Sequence, residues 1–419
     1  MEDTLTELHE WLDANWDPAL TLGQWWSRLA DAGWGFPAWP AQWFGRGLPS
    51  NVAKRARAEL GRRGVLGPPA GIAPFLAAPT LLTHGTDEQL QRFMPGIAKG
   101  TEVWCQLFSE PGSGSDLASL ATRAERDGDE YVVTGQKVWN TGAQYADWAI
   151  LMARTDVDQP KHKGISYFAF DMRQPGVEVR PLKEMTGGAT FNEVFLTEAR
   201  VPVANLLGSL GEGWRVAMTT LSHERDNENP GGGGGGGTFI GRPDLSMSVG
   251  DFMKPNPDHR PDGFEIAMSG GISEVPMKLA RQFGCAEDPV TRQAVVDLWA
   301  HRQLMRLNGQ RAKARSKQGQ PPGAESSTGK LMGSDFGRKL REVGLAIEGP
   351  YGQLVDGDAP LDGIVQAYGL FQPAMSIAGG TDEVQRNIIG ERVLGLPKEP
   401  DLSRDVAWRD IKVGTQRHD

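Results

Sequence analysis

The chain has 419 residues, of which 39% are hydrophobic and 23% are charged, and its formal net charge is −9. This length exceeds one ordinary core and predicts a soluble protein of two or three packed subdomains. The acidic balance argues against a broad face for nucleic acid or anionic lipid. No run of about eighteen apolar residues predicts a membrane span. The acidic, amphipathic start, MEDTLTELHEWLDANW, is unlike a signal peptide.

Cysteine usage points to a reducing compartment. Cys105 and Cys285 are the two cysteines of the sequence, and they stand at no metal-ligand spacing. We therefore expect neither a disulfide framework nor a metal site. Together with the missing signal peptide, this predicts a cytoplasmic protein.

The first hundred residues form a predicted N-terminal helical domain, 1–100. Apolar side chains recur at helical spacing over 5–12 and again over 22–29. Two further helical patterns follow, over 51–65 and 86–100. The connection between the second and third helices is rich in proline and glycine, which predicts a loop.

A central β domain is predicted over 101–210. Short β-branched or aromatic runs alternate there with turn residues, which is typical of strands in one sheet or barrel. These runs are EYVVTGQKVWN, DWAILMART, GISYFAFDM, GVEVRPL and NEVFLTEARVP.

Helical periodicity returns in a predicted C-terminal helical domain, 211–419, most clearly over 293–316 and 334–349. The order of helices, strands and helices predicts an α+β fold, in which a β domain separates two helical parts. Within the last domain, residues 231–275 open with seven consecutive glycines and contain several prolines. No strand precedes these glycines and no helix follows them, so we interpret 231–275 as a flexible surface insertion and not as a nucleotide fingerprint.

Two turns in the β region carry the strongest functional signal. The first, SEPGSGSD, offers backbone N–H groups and the hydroxyls of Ser109, Ser113 and Ser115, and its glycines allow a planar or anionic ligand to approach. The second, KVWNT, presents Trp139 beside Thr141, which suits a flat ring with a polar edge. On the residues alone, two hairpin loops and a buried tryptophan remain the alternative.

The stretch that contains both turns, from FSEPGSGSD to GQKVWNTGAQYADW, resembles the flavin-binding region of the acyl-CoA dehydrogenase family. GWGFPAWPAQWFGRGLP is similar to the N-terminal loop of that family, and EMTGGATFNEVFLTEARVPVANLLGSLGEGW to its later β-domain strands. IAGGTDEVQRNIIGERVLGLP resembles its C-terminal flavin-contacting motif. The resemblance implies an N-terminal helical domain, a central β-barrel or sheet, and a C-terminal four-helix bundle.

The resemblance also implies FAD as the cofactor and assigns residues to it. Phe108 and Ser109 would bind the pyrimidine edge, while Trp139 and Thr141 would flank the reactive side of the flavin. Ser115 would lie where the acyl-CoA enters. The other residues expected at the cofactor are Gly114, Arg281, Thr381 and Glu383.

The implied reaction is α,β-desaturation of an acyl-CoA thioester, with a carboxylate as the base and an electron-transfer flavoprotein as the electron acceptor. Many members place the base immediately before the Gly-Thr of the C-terminal motif, where this chain has Gly379. Other members place a glutamate before an arginine on a central helix. We therefore expect Glu224 to be the base and Arg225 to assist substrate binding or to support the local structure. Gly379 should leave space for bulky or branched acyl groups.

Two motifs depart from the family pattern at the expected subunit interface. Gln293 stands ten residues after Phe283 and not eight, and EGPYGQL replaces the usual double glycine. Such departures are reminiscent of members that form hetero-oligomers with a related subunit, although a homo-oligomer is also open. A flavin oxidase or monooxygenase on the same fold, or a non-catalytic partner subunit, remain alternative functions.

Overall fold

The structure is a computed structural model that describes residues 2–225, 241–256, 259–269, 271–317, 325–398, 400 and 403–411. The chain forms two compact units. The first contains the described residues of Met1–Lys183, Ala189–His259 and Leu402–Asp419, and the second those of Glu184–Gly188 and Arg260–Asp401. No helix in the described residues combines the length and the apolar character that a membrane crossing requires.

The N-terminal helices of the first unit follow the predicted apolar stripes. They are α1 (Glu2–Asn15), α2 (Leu22–Asp31), α3 (Ser50–Arg62), α4 (Ala78–His84) and α5 (Asp87–Ala98). Capping boxes begin α2 and α5, since Thr21 and Thr86 each accept from the backbone N–H of a glutamine three residues later. The buried faces of α1, α2 and α3 meet in one core, in which Leu8, Trp25 and Leu60 are buried.

Seven strands form a curled central sheet in the same unit. They are β1 (Trp104–Leu107), β2 (Arg123–Asp127), β3 (Glu130–Val138), β4 (Trp148–Arg154), β5 (Ile165–Asp171), β6 (Val177–Pro181) and β7 (Asn192–Pro202). Their order is β1-β4-β2-β3-β7-β6, and β5 pairs with β4. The five strand runs predicted from the sequence lie on β3 to β7. Helix α6 (Gly213–Arg225) follows the sheet and contacts β5 and α4.

The second unit is helical. It contains α8 (Gly263–Ser269), α9 (Val275–Gln282), α10 (Pro289–Lys317), α11 (Glu325–Glu348), α12 (Ile364–Met375) and α13 (Asp382–Ile388). Helix α11 packs against α9, α10, α12 and α13, and the core of this unit includes buried Leu279, Leu298, Leu340 and Val365. Helical, sheet and helical regions thus follow one another along the chain, as the predicted α+β class requires.

Part of the predicted insertion packs against the N-terminal helices. Residues 231–240 lie outside the described residues, but 241–256 contain α7 (Val249–Phe252) and are hydrogen-bonded to the start of α2. Leu22 N–H donates to Met247 O at 2.8 Å and Gly23 N–H to Leu245 O at 3.0 Å. Val249 is fully buried in the same core as the N-terminal helices. We call residues 241–256 the docked segment.

The content of glycine and proline did not predict this packing. The docked segment is held by one four-residue helix and a few backbone hydrogen bonds, and neither leaves a long periodic pattern in the sequence. Farther along, α8 also lies within the range predicted as an insertion and packs against α12, with Phe264 edge-on to Phe371 at 5.6 Å.

We predict that Val249→Ala loosens the docked segment. The side chain is fully buried, and its truncation should lower the free energy of unfolding by about 2 kcal/mol through lost burial and a small cavity. Limited proteolysis should then cut within 241–256 faster than in the wild type. Met253→Ala is the matched control, because Met253 is 37% exposed and its truncation should cost less than about 0.5 kcal/mol. Equal protease sensitivity of the two variants would refute the docking.

Candidate functional site

The two turns singled out in the sequence lie side by side in the first unit. The first turn follows β1, and its Glu110 and Ser113 exchange both backbone hydrogen bonds, at 3.1 and 3.0 Å. The second turn follows β3, and the Val138 N–H donates to the Ser109 carbonyl oxygen at 2.9 Å. A backbone hydrogen bond therefore ties the second turn to the first.

A buried ion pair locks the same two turns together. Lys137 Nζ donates to Glu110 Oε1 at 2.8 Å and to the Phe108 carbonyl oxygen at 3.0 Å. The Lys137 side chain is 0% exposed and that of Glu110 8%. Glu110 also accepts the backbone N–H groups of Ala121 at 2.6 Å and Thr122 at 2.9 Å. One carboxylate therefore binds the neighbouring turn and the loop before β2.

Both members of the pair have altered proton affinities. Burial by itself would raise the pKa of Glu110, but the charge and hydrogen bond of Lys137 outweigh it and hold that pKa below its usual range. Burial lowers the pKa of Lys137, and the charge of Glu110 opposes this shift. The pair is consequently a fixed structural charge pair with good hydrogen-bond geometry.

This pair was not predicted from the sequence. Lys137 lies on the inward face of β3, two residues after Gly135 and in alternation with buried Tyr131 and Val133. Because alternate residues of a strand share a face, the alternation places a charge inside the sheet. An inward-facing lysine needs a buried anion as its partner. The alternation in β3 could therefore have indicated that an acidic residue such as Glu110 is buried nearby.

Trp139 is held in a backbone conformation that bulky residues seldom adopt. Its φ is 63°, in the left-handed region, and its side chain is 62% exposed and edge-on to Phe191. The next residue anchors it, because Asn140 Nδ2 donates to Gln106 O at 2.7 Å and the Asn140 N–H donates to Asn192 O at 3.1 Å. Strain of this kind is retained where neighbouring contacts determine the backbone, often at functional sites.

The exposed groups of the two turns suit a planar ring with polar edges. Gly114 and Ser115 are exposed, Ser109 and Thr141 are half-buried, and the Trp139 indole stands exposed on the second turn. An exposed indole together with hydroxyl and backbone groups matches the needs of an isoalloxazine ring. The residues of the two turns thus fit a flavin. Phe108 is different, since its ring is buried edge-on to Tyr167 at 5.7 Å and its carbonyl oxygen already accepts from Lys137.

A strap formed by residues 403–411 pairs with the loop between β4 and β5 and covers Arg154, which holds the loop behind the first turn. Arg154, only 2% exposed, donates to the carbonyl oxygens of Ala118 at 2.7 Å and Leu120 at 3.1 Å. The Trp408 ring centroid lies 4.7 Å from the Arg154 guanidinium carbon, and the backbone N–H of Trp408 donates to Gln159 O at 2.9 Å. The strap therefore shields the arginine that fixes the loop carrying the N–H donors of Glu110.

Helix α6, which carries the predicted base, is anchored by three buried hydroxyls. Thr220 Oγ1 lies 2.9 Å from both Thr80 Oγ1 and the Tyr167 hydroxyl, and all three residues are fully buried. Burial raises the pKa of Tyr167, so it stays a neutral hydrogen-bonding group. Helix α6 reaches Glu224 and ends at Arg225. The side chains of these two residues lie outside the described residues.

The remaining predicted site residues belong to the second unit. Thr381 caps α13 by accepting the Val384 N–H at 3.2 Å, and Glu383 is 78% exposed beside Arg386. Gly379 has a φ of 65°, and its carbonyl oxygen accepts from Gln385 Nε2 at 3.0 Å. Arg281 is exposed in the last turn of α9.

A buried carboxylate that the sequence analysis did not name fixes this C-terminal motif. Asp382 accepts from Lys330 Nζ at 3.0 Å and from Arg338 at 2.8 Å. Burial by itself raises the pKa of Asp382, but hydrogen bonds from Arg338, Ser334 and Lys330 outweigh it and lower the pKa to about 2. The start of α13 is thereby attached to α11.

The residues proposed for the cofactor thus fall into two described groups. The structure brings together six of them in the two turns of the first unit: Phe108, Ser109, Gly114, Ser115, Trp139 and Thr141. Three others belong to the second unit: Arg281, Thr381 and Glu383.

We predict that Lys137→Met is strongly destabilising and that removing both charges is less so. Leaving Glu110 without its buried partner should lower the free energy of unfolding by about 3–5 kcal/mol, whereas Lys137→Met with Glu110→Leu should recover part of that loss. Urea unfolding followed by fluorescence measures the difference.

An exposed ion pair, Arg180–Glu178, provides the matched control for the buried pair. Arg180 and Glu178 lie 2.7 Å apart with side chains 57% and 59% exposed, and Arg180→Ala should change the free energy of unfolding by less than about 1 kcal/mol. If Lys137→Met were no more harmful than Arg180→Ala, the locking role of the buried pair would be wrong.

We also predict a pH-dependent effect of Asp382→Asn. The folded pKa of about 2 lies below an unfolded value of about 4, so ionised Asp382 stabilises the protein above pH ~4. This stability is lost as the pH falls through ~2. At pH 7 the variant should unfold at lower urea concentration than the wild type, and the gap should close towards pH 2.5. Glu383→Gln is the control, because Glu383 is 78% exposed. A gap independent of pH would contradict the assignment.

Comparison with known proteins gives the family. Models of three acyl-CoA dehydrogenase domains match the chain: the N-terminal domain over residues 2–101, the middle domain over 105–198 and the C-terminal domain over 277–394. Acyl-CoA dehydrogenase IpdE1 of Mycobacterium tuberculosis (strain ATCC 25618 / H37Rv) is 36% identical over 375 residues, which cover 90% of this chain and 88% of that protein.

Solved structures agree with this result. The Tcur3481-Tcur3483 steroid ACAD aligns with a TM-score of 0.70 and 26% identity, over 95% of this chain and 98% of that one. The ChsE4-ChsE5 complex from Mycobacterium tuberculosis aligns with a TM-score of 0.68 and 27% identity, over 90% of each chain. The predicted enzyme class and fold are confirmed, and the chain belongs to the acyl-CoA dehydrogenase family of flavoproteins.

Proposed function

We propose that this chain catalyses FAD-dependent α,β-desaturation of an acyl-CoA thioester and passes the electrons to an electron-transfer flavoprotein. The observation that carries the proposal is the paired turns, in which the buried Lys137–Glu110 pair fixes an exposed, strained Trp139 near the exposed Ser115 and the half-buried Thr141. Membership of the acyl-CoA dehydrogenase family gives these turns a flavin as their expected ligand.

The two turns of the first unit would hold the flavin ring of the cofactor. Trp139 and Thr141 would flank the flavin on its reacting side, and Ser109 would bind its polar edge. Bound FAD would supply the acceptor for the two electrons that the desaturation removes. The remaining proposed cofactor residues are Phe108, Gly114, Ser115, Arg281, Thr381 and Glu383.

The residues of this chain would bind and orient the thioester and take its α-proton. Ser115, exposed on the first turn, would contact the entering acyl-CoA. Gly379 cannot act as a base, and we assign that role to Glu224 on α6, whose carboxylate would take the proton from the α-carbon. Arg225, the last residue of α6, would assist substrate binding.

We further propose a bulky, ring-bearing acyl group and an oligomeric assembly. Gly379 offers no side chain, and a Cβ added there would meet no atom within 4 Å in the described structure. One compared structure is that of a steroid ACAD, and another is a complex of two differently named chains. These likenesses favour a hetero-oligomer with a related subunit, and a homo-oligomer is the alternative.

The decisive experiment is anaerobic bleaching of the flavin in the purified protein with a panel of acyl-CoA thioesters. Wild type should bleach, and Glu224→Gln should bleach slower by ~10²–10⁴-fold, the usual contribution of a general base. Glu212→Gln is the control, because Glu212 is exposed near the start of the same helix and pairs with Arg215. It should bleach like the wild type.

The other outcomes identify the competing functions. Equal bleaching by Glu224→Gln and wild type would refute Glu224 as the base. Oxygen-dependent turnover with release of peroxide would favour an oxidase or monooxygenase. A colourless protein that acquires flavin only with a co-expressed partner would favour the role of a partner subunit.

A further inference from the structure

The first unit contains a partly open cavity that begins at the second turn. Its volume is about 140 Å³, and its lining includes Thr141 and Gly142, immediately after Trp139 in sequence. Trp26 of α2 and Ile72 of the loop before α4 line it as well. A cavity of about 150 Å³ in another protein holds one benzene molecule. The space is therefore that of one six-membered ring.

The docked segment forms part of the wall of this cavity. Pro243 and Phe252, on either side of the backbone hydrogen bonds to α2, both line it. The Phe252 ring is edge-on to Trp26, with centroids 6.4 Å apart, and it packs against the core that contains fully buried Val249. The Phe252 ring thus forms part of the cavity wall, and its packing against the core of the N-terminal helices fixes its position.

A further contact holds the docked segment at its N-terminal end. Arg242 forms an ion pair with Asp147, which also accepts the backbone N–H of Val103 at 2.9 Å. Val103 itself lines the cavity. The wall is therefore attached both to the N-terminal helices and to the loop that precedes β4.

The lining is largely apolar, which fits a carbocycle. Its charged members are Arg57 and Glu102, and each contacts another side chain. The Arg57 guanidinium carbon lies 5.8 Å from the Phe75 ring centroid, and Glu102 accepts a hydrogen bond from Arg92 at 3.0 Å. Most of the remaining lining comes from proline, glycine and aliphatic or aromatic side chains. An apolar pocket discriminates by size, since each methylene that does not fit costs affinity.

We propose that Phe252 of the docked segment is a specificity-determining residue, which limits the acyl group in this cavity to about one six-membered ring. The inference rests on the proposed function, because it treats the cavity beside Thr141 as the place of the acyl group. The docked segment, within the range predicted as a surface insertion, then selects the substrate.

The test compares a one-ring with a fused two-ring ligand in the flavin-loaded protein. Binding of cyclohexene-1-carbonyl-CoA and of its octahydronaphthalene counterpart is measured by calorimetry, and bleaching is measured with the corresponding saturated thioesters. The wild type should prefer the one-ring compounds. Phe252→Ala should shift the ratio of the two dissociation constants towards the two-ring compound by at least ~10-fold.

Met253→Ala is the matched control, since Met253 follows Phe252, is 37% exposed and is not part of the cavity lining. It should keep the wild-type ratio. An unchanged ratio in Phe252→Ala, or equal weakening of both ligands, would overturn the inference. If Phe252→Ala loses its flavin or fails to fold, Phe252→Leu is measured by the same criterion.

Failure of the proposed function gives a different result. A wild type that binds both enoyl-CoA compounds but bleaches with neither saturated thioester refutes the desaturation, while the binding ratio still decides the role of Phe252. A wild type that binds neither compound refutes the inference directly.

Discussion

The architecture of the proposed flavin site depends on one buried charge pair. Glu110 belongs to the first turn and Lys137 to the strand that leads into the second, and their bond fixes the distance between the two turns. The carboxylate also gathers two backbone N–H groups of the loop before β2, so that three separate chain segments share one anion. Burying such a pair costs solvation, and this pair offsets the cost through multiple hydrogen bonds.

The consequences of that pair extend outward through the first unit. Arg154 holds the carbonyl groups of the loop whose N–H groups bind Glu110, and Trp408 of the strap covers the Arg154 guanidinium. Trp139 can therefore remain exposed in a strained conformation, because the backbone on either side of it is fixed by contacts with other strands. Rigidity is supplied by buried residues, and the exposed residues are left free to meet a ligand.

Much of the fold could be predicted from the sequence, because its elements have strong local patterns. The alternation in β3 and the apolar stripes of α1 and α2 are confirmed by the structure. The two turns were recognised from their glycines, hydroxyls and tryptophan, and the family resemblance supplied their expected role at a flavin.

The contacts that join the elements could not be predicted in the same way. The Lys137–Glu110 pair and the Asp382 network connect residues 27 to 52 positions apart. The docked segment depends on packing that composition does not encode. The role of Glu224 remains a prediction, because it rests on the family pattern alone.

The position of the strap near the end of the chain affects the order in which parts of the protein can fold. Residues 403–411 belong to the first unit, although the ribosome adds them after residues 260–401 of the second unit. The core of the helical unit can therefore form during synthesis. Arg154 cannot contact the indole of Trp408 until Trp408 has been synthesised. Arg154, which fixes the loop behind the first turn, would thus be covered in a late step of folding, after the helices encoded before the strap have emerged.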